Sequence, residues 1–387
     1  MSAPQPGTQV RVAFVTTCAA ASRTLAEPLA GTAATARTWL LIEQPGPWGK
    51  RALAESHLDP ALGKALETAA SAHGARVALI RRPGRQADSA DGHGHHHVFL
   101  ARTVPGDSWV YTARLPAGGG LEALRALDFA ALDGHSARPG SDGTGQAMEI
   151  QPPDGRHAAQ APGPLSGSRS HARSDTRAAG LGPGWRPYEG DPLALVCTNG
   201  KRDRCCALLG RPLAAELEAS GAANVWEISH IGGHRFAPTL LVLPYGYAYG
   251  RLGAVAVKGV LDAVRDGHVL TEGCRGRSAW DRPGQAADLA VRERTGEIRA
   301  AALTVLATTP ASTATSTSTS TSAPALASAE EPDRARWEVT VGHVDGRRWR
   351  VVLAEADDGP ALSASCGAAP TPAIRMDVER FETLPPG

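Results

Sequence analysis

The sequence lacks any run of about eighteen apolar residues, the length that a helix needs to cross a bilayer. We therefore expect no transmembrane segment. The first residues, MSAPQPGTQVRVAFV, lack a basic region ahead of a long apolar stretch, so we expect no signal peptide. The net charge is only +1, which provides no global field to attract nucleic acid or an anionic membrane surface.

Cysteine is also scarce. Six cysteines in 387 residues are too few for a disulfide scaffold. Three of them, Cys197, Cys205 and Cys206, lie within ten residues, which indicates chemistry in a reducing compartment. We expect a cytoplasmic protein, and the chain length predicts two or three domains.

Three stretches lack apolar periodicity and are predicted to be loops or linkers. The stretch from Arg82 to His97 is polar and ends in a histidine-rich run that starts at His93. Residues 134–182 are rich in Gly, Pro, Ser and Arg, and residues 308–322 form a Ser/Thr tract. Such compositions bury too little apolar surface to offset the entropy of ordering them.

The parts between these stretches repeat one pattern. Each half contains a strand, a helix, three strands and a helix, judged by apolar periodicity and by glycine stop signals. The second half begins with the strand LALVC, and Pro212 is expected to start or kink its first helical stretch. The order predicts an α/β fold with two thioredoxin-like lobes, each a mixed sheet covered by helices.

The predicted domains follow from these divisions. Residues 8–133 form the first lobe, 134–182 a linker, 183–304 the second lobe and 305–332 a second linker. Residues 333–387 form a C-terminal β-hairpin extension with its turn at Asp345-Gly346, and we expect it to pack on the second lobe.

Two cysteines and two histidines make the second lobe the candidate functional unit. Cys197 and Cys206 lie in CTNGKRDRCC, and His230 and His234 lie in HIGGHRFAP. Thiolates and imidazoles are ligands for iron-sulfur clusters and for zinc, and intervening glycines let the backbone approach such a centre. Two adjacent glycines predict a loop rather than a helix between the histidines.

These segments, together with EPLAGTA, WLLIEQPGPWG and YGRL, resemble the sucrase/ferredoxin-like family. The resemblance implies a thioredoxin-like ferredoxin with a [2Fe-2S] cluster whose ligands are Cys197, Cys206, His230 and His234. Cys205 is the competing position for Cys206, and the family spacing favours Cys206. No carboxylate pair supports the sucrase activity in the family's name.

The expected function is therefore one-electron transfer rather than catalysis. Two imidazole ligands raise the potential of a cluster and link electron uptake to proton uptake. The chain has no flavin, nicotinamide or nucleotide motif, so an unidentified reductase and an electron acceptor are expected as partners. Arg202, Arg204 and Arg235 are candidates either for a basic docking rim or for structural counter-ions.

Two alternatives stay open. A structural zinc ion accepts the same four ligands, although eight residues between the cysteines exceed the usual spacing. A metal-free thiol oxidoreductase of thioredoxin fold would use Cys205 or Cys206. Elsewhere, Cys18 is interpreted as a buried structural cysteine, and no partner is identified for Cys274 or Cys366.

Overall fold

The computed structural model describes residues 17–84, 94–133, 181–222, 224–311 and 334–385. Its α-helices are α1 Cys18–Thr24, α2 Pro60–Ser71, α3 Phe129–Leu132, α4 Arg211–Ala219, α5 Ala254–Arg265 and α6 Arg282–Thr295. Two 3-10 helices, Gly120–Ala126 and His234–Phe236, and a π-helical turn, Cys206–Gly210, complete the helical elements of the described residues. No described helix is long and apolar enough to span a membrane.

The strands of the described residues number sixteen. Those before the long glycine-rich segment are β1 Thr38–Glu43, β2 Ala75–Arg81, β3 His95–Arg102 and β4 Trp109–Pro116. The next are β5 Arg186–Pro187, β6 Leu193–Cys197, β7 Val225–Ile228, β8 Thr239–Leu243, β9 Tyr247–Gly250 and β10 Cys274–Arg277. The last are β11 Leu303–Pro310, β12 Arg336–His343, β13 Arg348–Ala356, β14 Ala361–Ser363, β15 Pro370–Pro372 and β16 Arg375–Leu384.

One ten-stranded mixed sheet runs through both halves, in the order β10-β9-β8-β6-β7-β2-β1-β3-β4-β5. In each half a parallel pair is joined by a helix, and two antiparallel strands follow, as the sequence pattern predicts. The halves meet at β2 and β7, which pair antiparallel with Ile80 opposite Ile228 and Arg81 opposite Glu227. The two expected lobes therefore share one continuous sheet.

Apolar side chains fill both faces of this sheet. One core cluster belongs to the first half and includes Leu40 and Leu66, and another belongs to the second half and includes Val257. A third cluster contains residues of both halves, among them Trp39 in β1 and Trp226 in β7. Because this cluster is shared, its apolar side chains in each half are buried only when the other half is present.

The predicted C-terminal hairpin is present as β12 and β13, with Gly346 at a positive φ in its turn. It belongs to a four-stranded antiparallel sheet, β11-β12-β13-β16, which packs on α6 through Val339, Val351 and other apolar residues. Thr308 and Thr309 are predicted to start an unstructured tract. They instead belong to β11 and pair with residues of β12. The chain positions 312–333 lie outside the described residues.

The histidine-rich run also differs from its predicted loop. His95, His96 and His97 form the start of β3, because they pair with β4 and because His96 Nδ1 bonds to the Glu43 carbonyl at 2.8 Å. His93 and the linker positions 134–180 lie outside the described residues.

Candidate metal centre

The predicted ligand residues meet at one edge of the sheet. Strands β6 and β7 are parallel, with Cys197 opposite Ile228, so Cys197 and the residues that follow β7 lie at the same edge. Strand β8 is antiparallel to β6, so its start lies at that edge too, directly after the 3-10 turn that begins at His234. The topology thus brings the cysteine and histidine segments together.

The segment between Cys197 and Cys206, the cysteine loop, is held in shape by the side chain of Asn199. The Asn199 side-chain oxygen accepts bonds from the backbone N–H groups of Lys201 and Arg202 at 3.1 and 3.3 Å. The π-helical turn then packs tightly on the end of β6. A Cβ at Gly210 would lie 2.1 Å from the Cys197 carbonyl oxygen, so the close approach requires glycine at this position.

The segment between His230 and His234, the histidine loop, requires glycine for a different reason. Gly232 and Gly233 have φ values of +74° and +73°, in the left-handed region that other residues rarely adopt. The predicted loop between the histidines is therefore confirmed. Arg275, in β10, is fully buried and donates hydrogen bonds to the Gly232 carbonyl at 3.2 Å and to Thr32.

The four predicted side chains form one contact group. Cys206 Sγ lies 3.1 Å from His234 Nδ1, and the rings of His230 and His234 stack with centroids 4.9 Å apart. Cys197 interacts with the Cys206 thiol and with His230, which completes the group. Both cysteines are 1% exposed, and His234 is 8% exposed.

The electrostatics of the two cysteines differ. The pKa of Cys197 is held well below its ordinary value, mainly by a hydrogen bond from Cys206 and further by His230, although burial opposes this. The pKa of Cys206 is raised by the neighbouring Cys197 and by burial. Burial lowers the pKa of His234, which favours the neutral imidazole that a metal ion requires. Of the two cysteines, Cys197 is therefore the one whose thiol ionises more easily.

One polar atom of this group has no hydrogen-bond partner among the described residues. It is His230 Nδ1, and it is buried. Buried polar atoms nearly always have a partner, and an unsatisfied one costs about 1–3 kcal/mol. The free donor, two sulfurs and a second imidazole form a set that suits zinc or an iron-sulfur cluster.

Cys205 and Cys206 face different groups. Cys205 Sγ lies 3.4 Å from Cys18 Sγ and 3.2 Å from Cys366 Sγ, whereas Cys206 faces His234. Of the two competing positions, Cys206 is the one in contact with the histidine pair. The adjacent cysteines do not act as a pair, because their side chains diverge.

The structure separates the three candidate arginines. Arg235 makes an ion pair with the buried Glu27 at 2.6 Å and is 15% exposed, so it acts as a structural counter-ion rather than as part of a free rim. Arg202 and Arg204 are exposed. Between them, the Asp203 carboxylate accepts from the backbone N–H groups of Cys205 and Cys366 at 2.8 and 2.7 Å.

Sequence reasoning missed Arg275 and the approach of Cys18 and Cys366. Arg275 lies in the short strand CRGR, whose composition does not suggest a buried element. Burial lowers the pKa of Arg275 to about 10, and negative charge at Cys197 acts in the opposite direction. Long sequence separations, 187 and 348 residues from Cys18, hide the other contacts.

Two comparisons with known proteins find similar sequences. A stretch of 97 residues aligns at 29% identity with Altered inheritance of mitochondria protein 32 of Meyerozyma guilliermondii. The match covers 22% of this chain and 34% of that protein. The match thus spans about a third of that relative's length. No solved structure matches the chain significantly. The profile described as Sucrase/ferredoxin-like matches residues 29–276, more than half of the chain, and the chain therefore belongs to the sucrase/ferredoxin-like family.

Proposed function

We propose that Cys197, Cys206, His230 and His234 hold a [2Fe-2S] cluster and that the protein is a one-electron carrier. The observation that carries the proposal is the convergence of two buried thiols and two imidazoles at one sheet edge, with Cys206 Sγ 3.1 Å from His234 Nδ1. The unpartnered Nδ1 of His230 supports it further. When bound, such a cluster supplies a one-electron redox couple.

The surrounding residues suit this role. Cys197 and Cys206 belong to the apolar cluster that contains Trp226, so water is kept from the sulfur side of the site. Arg275 adds a buried positive charge, and its field favours the uptake of negative charge by the site. Gly232 and Gly233 allow the backbone to turn tightly between the two imidazoles.

The fold supports the comparison with thioredoxin-like ferredoxins. In the second half the strand order is β7-β6-β8-β9, with a helical crossover between the parallel strands β6 and β7 and a helix after β9. We infer that each half is a thioredoxin-like unit and that the second one carries the cluster.

The exposed rim of the site suggests where partners dock. Lys201, Arg202 and Arg204 are exposed on the cysteine loop, and Leu208, on the adjoining π-helical turn, is 51% exposed. A cationic rim around an apolar side chain suits an acidic protein surface that docks transiently. We expect this surface to receive a separate reductase and an electron acceptor, in a cytoplasmic, reducing compartment where the free thiols persist.

Iron and sulfide analysis of the anaerobically purified full chain tests the proposal. We expect about two iron and two sulfide per chain and a reddish-brown colour. Cys206→Ala should lose most of the iron, whereas Cys274→Ala should retain it, because Cys274 is a buried cysteine outside the group.

A colourless wild-type protein that binds only zinc, also after anaerobic supply of iron and sulfide, would contradict the proposal and favour the structural zinc alternative. If Cys205→Ala loses iron while Cys206→Ala retains it, the ligand set is wrong by one residue.

A further inference from the structure

A second group of donors lies beside the first one. Cys18, Cys205, Cys366 and Asp203 offer three sulfur atoms and a carboxylate, all within 4.8 Å of one another. The sulfur atoms are separated by 3.4 Å between Cys18 and Cys205, 3.6 Å between Cys18 and Cys366, and 3.2 Å between Cys205 and Cys366. Cys18, Cys205 and Asp203 are each at most 5% exposed.

These distances fit a shared metal ion better than a disulfide bond. A disulfide has its sulfurs about 2.05 Å apart and joins only two of three cysteines, which would leave one thiol buried beside it. A tetrahedral zinc ion with bonds of about 2.3 Å separates its sulfur ligands by about 3.8 Å. The three observed separations lie close to one another and close to this edge length.

The carboxylate is built into the group by two hydrogen bonds. Asp203 Oδ1 accepts from the Cys205 N–H at 2.8 Å, and Oδ2 accepts from the Cys366 N–H at 2.7 Å. These bonds fix two of the cysteine-bearing segments relative to the carboxylate. Because a carboxylate has about four lone-pair sites, Asp203 can retain both bonds and still ligate.

An ion can reach this group from solvent. A cavity of about 350 Å³ opens onto it and is lined by Thr17, Cys18, Arg204 and Cys366 among others. Three thiolates and a carboxylate carry more negative charge than a divalent ion neutralises, and the Arg204 guanidinium at the same cavity offsets part of the excess.

We propose that Cys18, Cys205, Cys366 and Asp203 bind Zn²⁺ in a structural site beside the four-residue site of the proposed cluster, with Asp203 also within 4.8 Å of Cys206 and His234. Thiolate donors select zinc over magnesium or calcium. Each thiol that ligates the ion releases its proton to solvent, and no electron is transferred. The proposal does not depend on the presence of iron at the other site.

The role of this zinc follows from where its ligands lie in the chain. Cys18 begins α1, Cys205 precedes the π-helical turn, and Cys366 lies between β14 and β15, so the ion joins three distant segments. A metal ion that joins such distant segments reduces the conformational entropy that the chain loses on folding, and this stabilises the folded state. Cys18 and Cys366 both lie outside residues 29–276, so the site extends beyond the part of the chain that matches the family.

Metal analysis of the full chain tests the proposal. The protein is produced with added zinc, purified anaerobically, and its zinc and iron are measured by elemental mass spectrometry. We expect about one zinc per chain in the wild type. Cys366→Ala and Cys18→Ala should each lower zinc at least about tenfold while the iron content is retained. Cys206→Ala should lose iron but keep zinc, and Cys274→Ala should keep both metals.

X-ray absorption at the zinc edge of the wild-type protein gives a readout that needs no variant. We expect three sulfur neighbours at about 2.3 Å and one oxygen neighbour. A spectrum with two sulfurs and two nitrogens would overturn the proposal, because it would place zinc at the histidine pair. A wild-type protein without zinc, or one with a disulfide among these three cysteines in peptide mass spectrometry, would overturn it as well.

Discussion

At the scale of single residues, the site depends on backbone conformations that few side chains permit. The structure places Gly233 at φ +73°, and a Cβ there would lie 2.1 Å from the Arg275 guanidinium. The glycines of this loop, the two cysteines and the two histidines could be recognised from the sequence because their spacing is local. Arg275 could not, since its contact with the loop depends on the pairing of β10 with β9.

Replacing Gly233 by alanine should therefore loosen the histidine loop. The left-handed conformation costs an alanine about 1–2 kcal/mol, and the contact with Arg275 adds to this. We expect a lower free energy of unfolding in urea and a lower iron content per chain.

Gly259→Ala is the matched control. Gly259 lies in α5 with nothing within 4 Å of its Cβ position, so alanine should stabilise the protein by roughly 0.5–1 kcal/mol. Equal effects of the two substitutions would show that the loop conformation has no special importance.

At the scale of secondary-structure elements, hydrophobic periodicity predicted the main strands of both halves and the helices α2, α4 and α5, whereas the helix expected to close the first half is the 3-10 helix Gly120–Ala126 followed by the short α3. It failed for α6, whose buried side includes Gln285, Asp288 and Arg292. Asp288 pairs with Arg292 at 3.3 Å and accepts from the Tyr247 hydroxyl at 3.0 Å, so charged residues occupy positions that the pattern expects to be apolar. The capping residue Asp281 and the following Pro283 were the available signals.

The junction of β2 and β7 provides a test at this scale. Arg81 and Glu227 form a buried ion pair at 2.8 Å between the halves, and Glu227 also accepts from the Thr198 hydroxyl. Glu227→Gln should remove the buried carboxylate that faces the Arg81 guanidinium, and breaking a buried pair of this kind costs about 3–5 kcal/mol. Urea unfolding measures the loss.

Glu55→Gln is the comparison. Its partner Arg51 is 77% exposed, and solvent-exposed pairs of this kind contribute little to stability. If both substitutions reduce stability by the same small amount, the pair at the junction does not hold the halves together.

At the scale of the whole molecule, the shared sheet and the C-terminal sheet could not be derived from the sequence. Strand β2 pairs with β7, and β11 pairs with β12. The hydrophobic patterns of these segments do not indicate which strand each one pairs with. The second half and the C-terminal sheet are further linked by Glu297, whose carboxylate lies 2.7 Å from His343 Nε2.

This link predicts a dependence of stability on pH. Arg299 and, to a smaller degree, His343 hold the pKa of Glu297 well below its ordinary 4.5. A depressed pKa in the folded state stabilises the protein fully above the unfolded value and loses this contribution as the pH falls below it. Wild type should therefore lose more stability than Glu297→Gln between about pH 5 and 3, measured by urea unfolding at each pH. Parallel pH profiles would contradict the assignment.

The proposed function requires His230 and His234 to ligate an iron-sulfur cluster together with Cys197 and Cys206. Pulsed paramagnetic resonance of the reduced full chain, labelled with ¹⁵N in histidine only, tests it most directly. We expect a rhombic signal with strong hyperfine coupling to the ring nitrogen of each of the two histidines, and the loss of one coupling in His230→Cys. A cluster signal without strong nitrogen coupling, or no paramagnetic cluster at all, would contradict it.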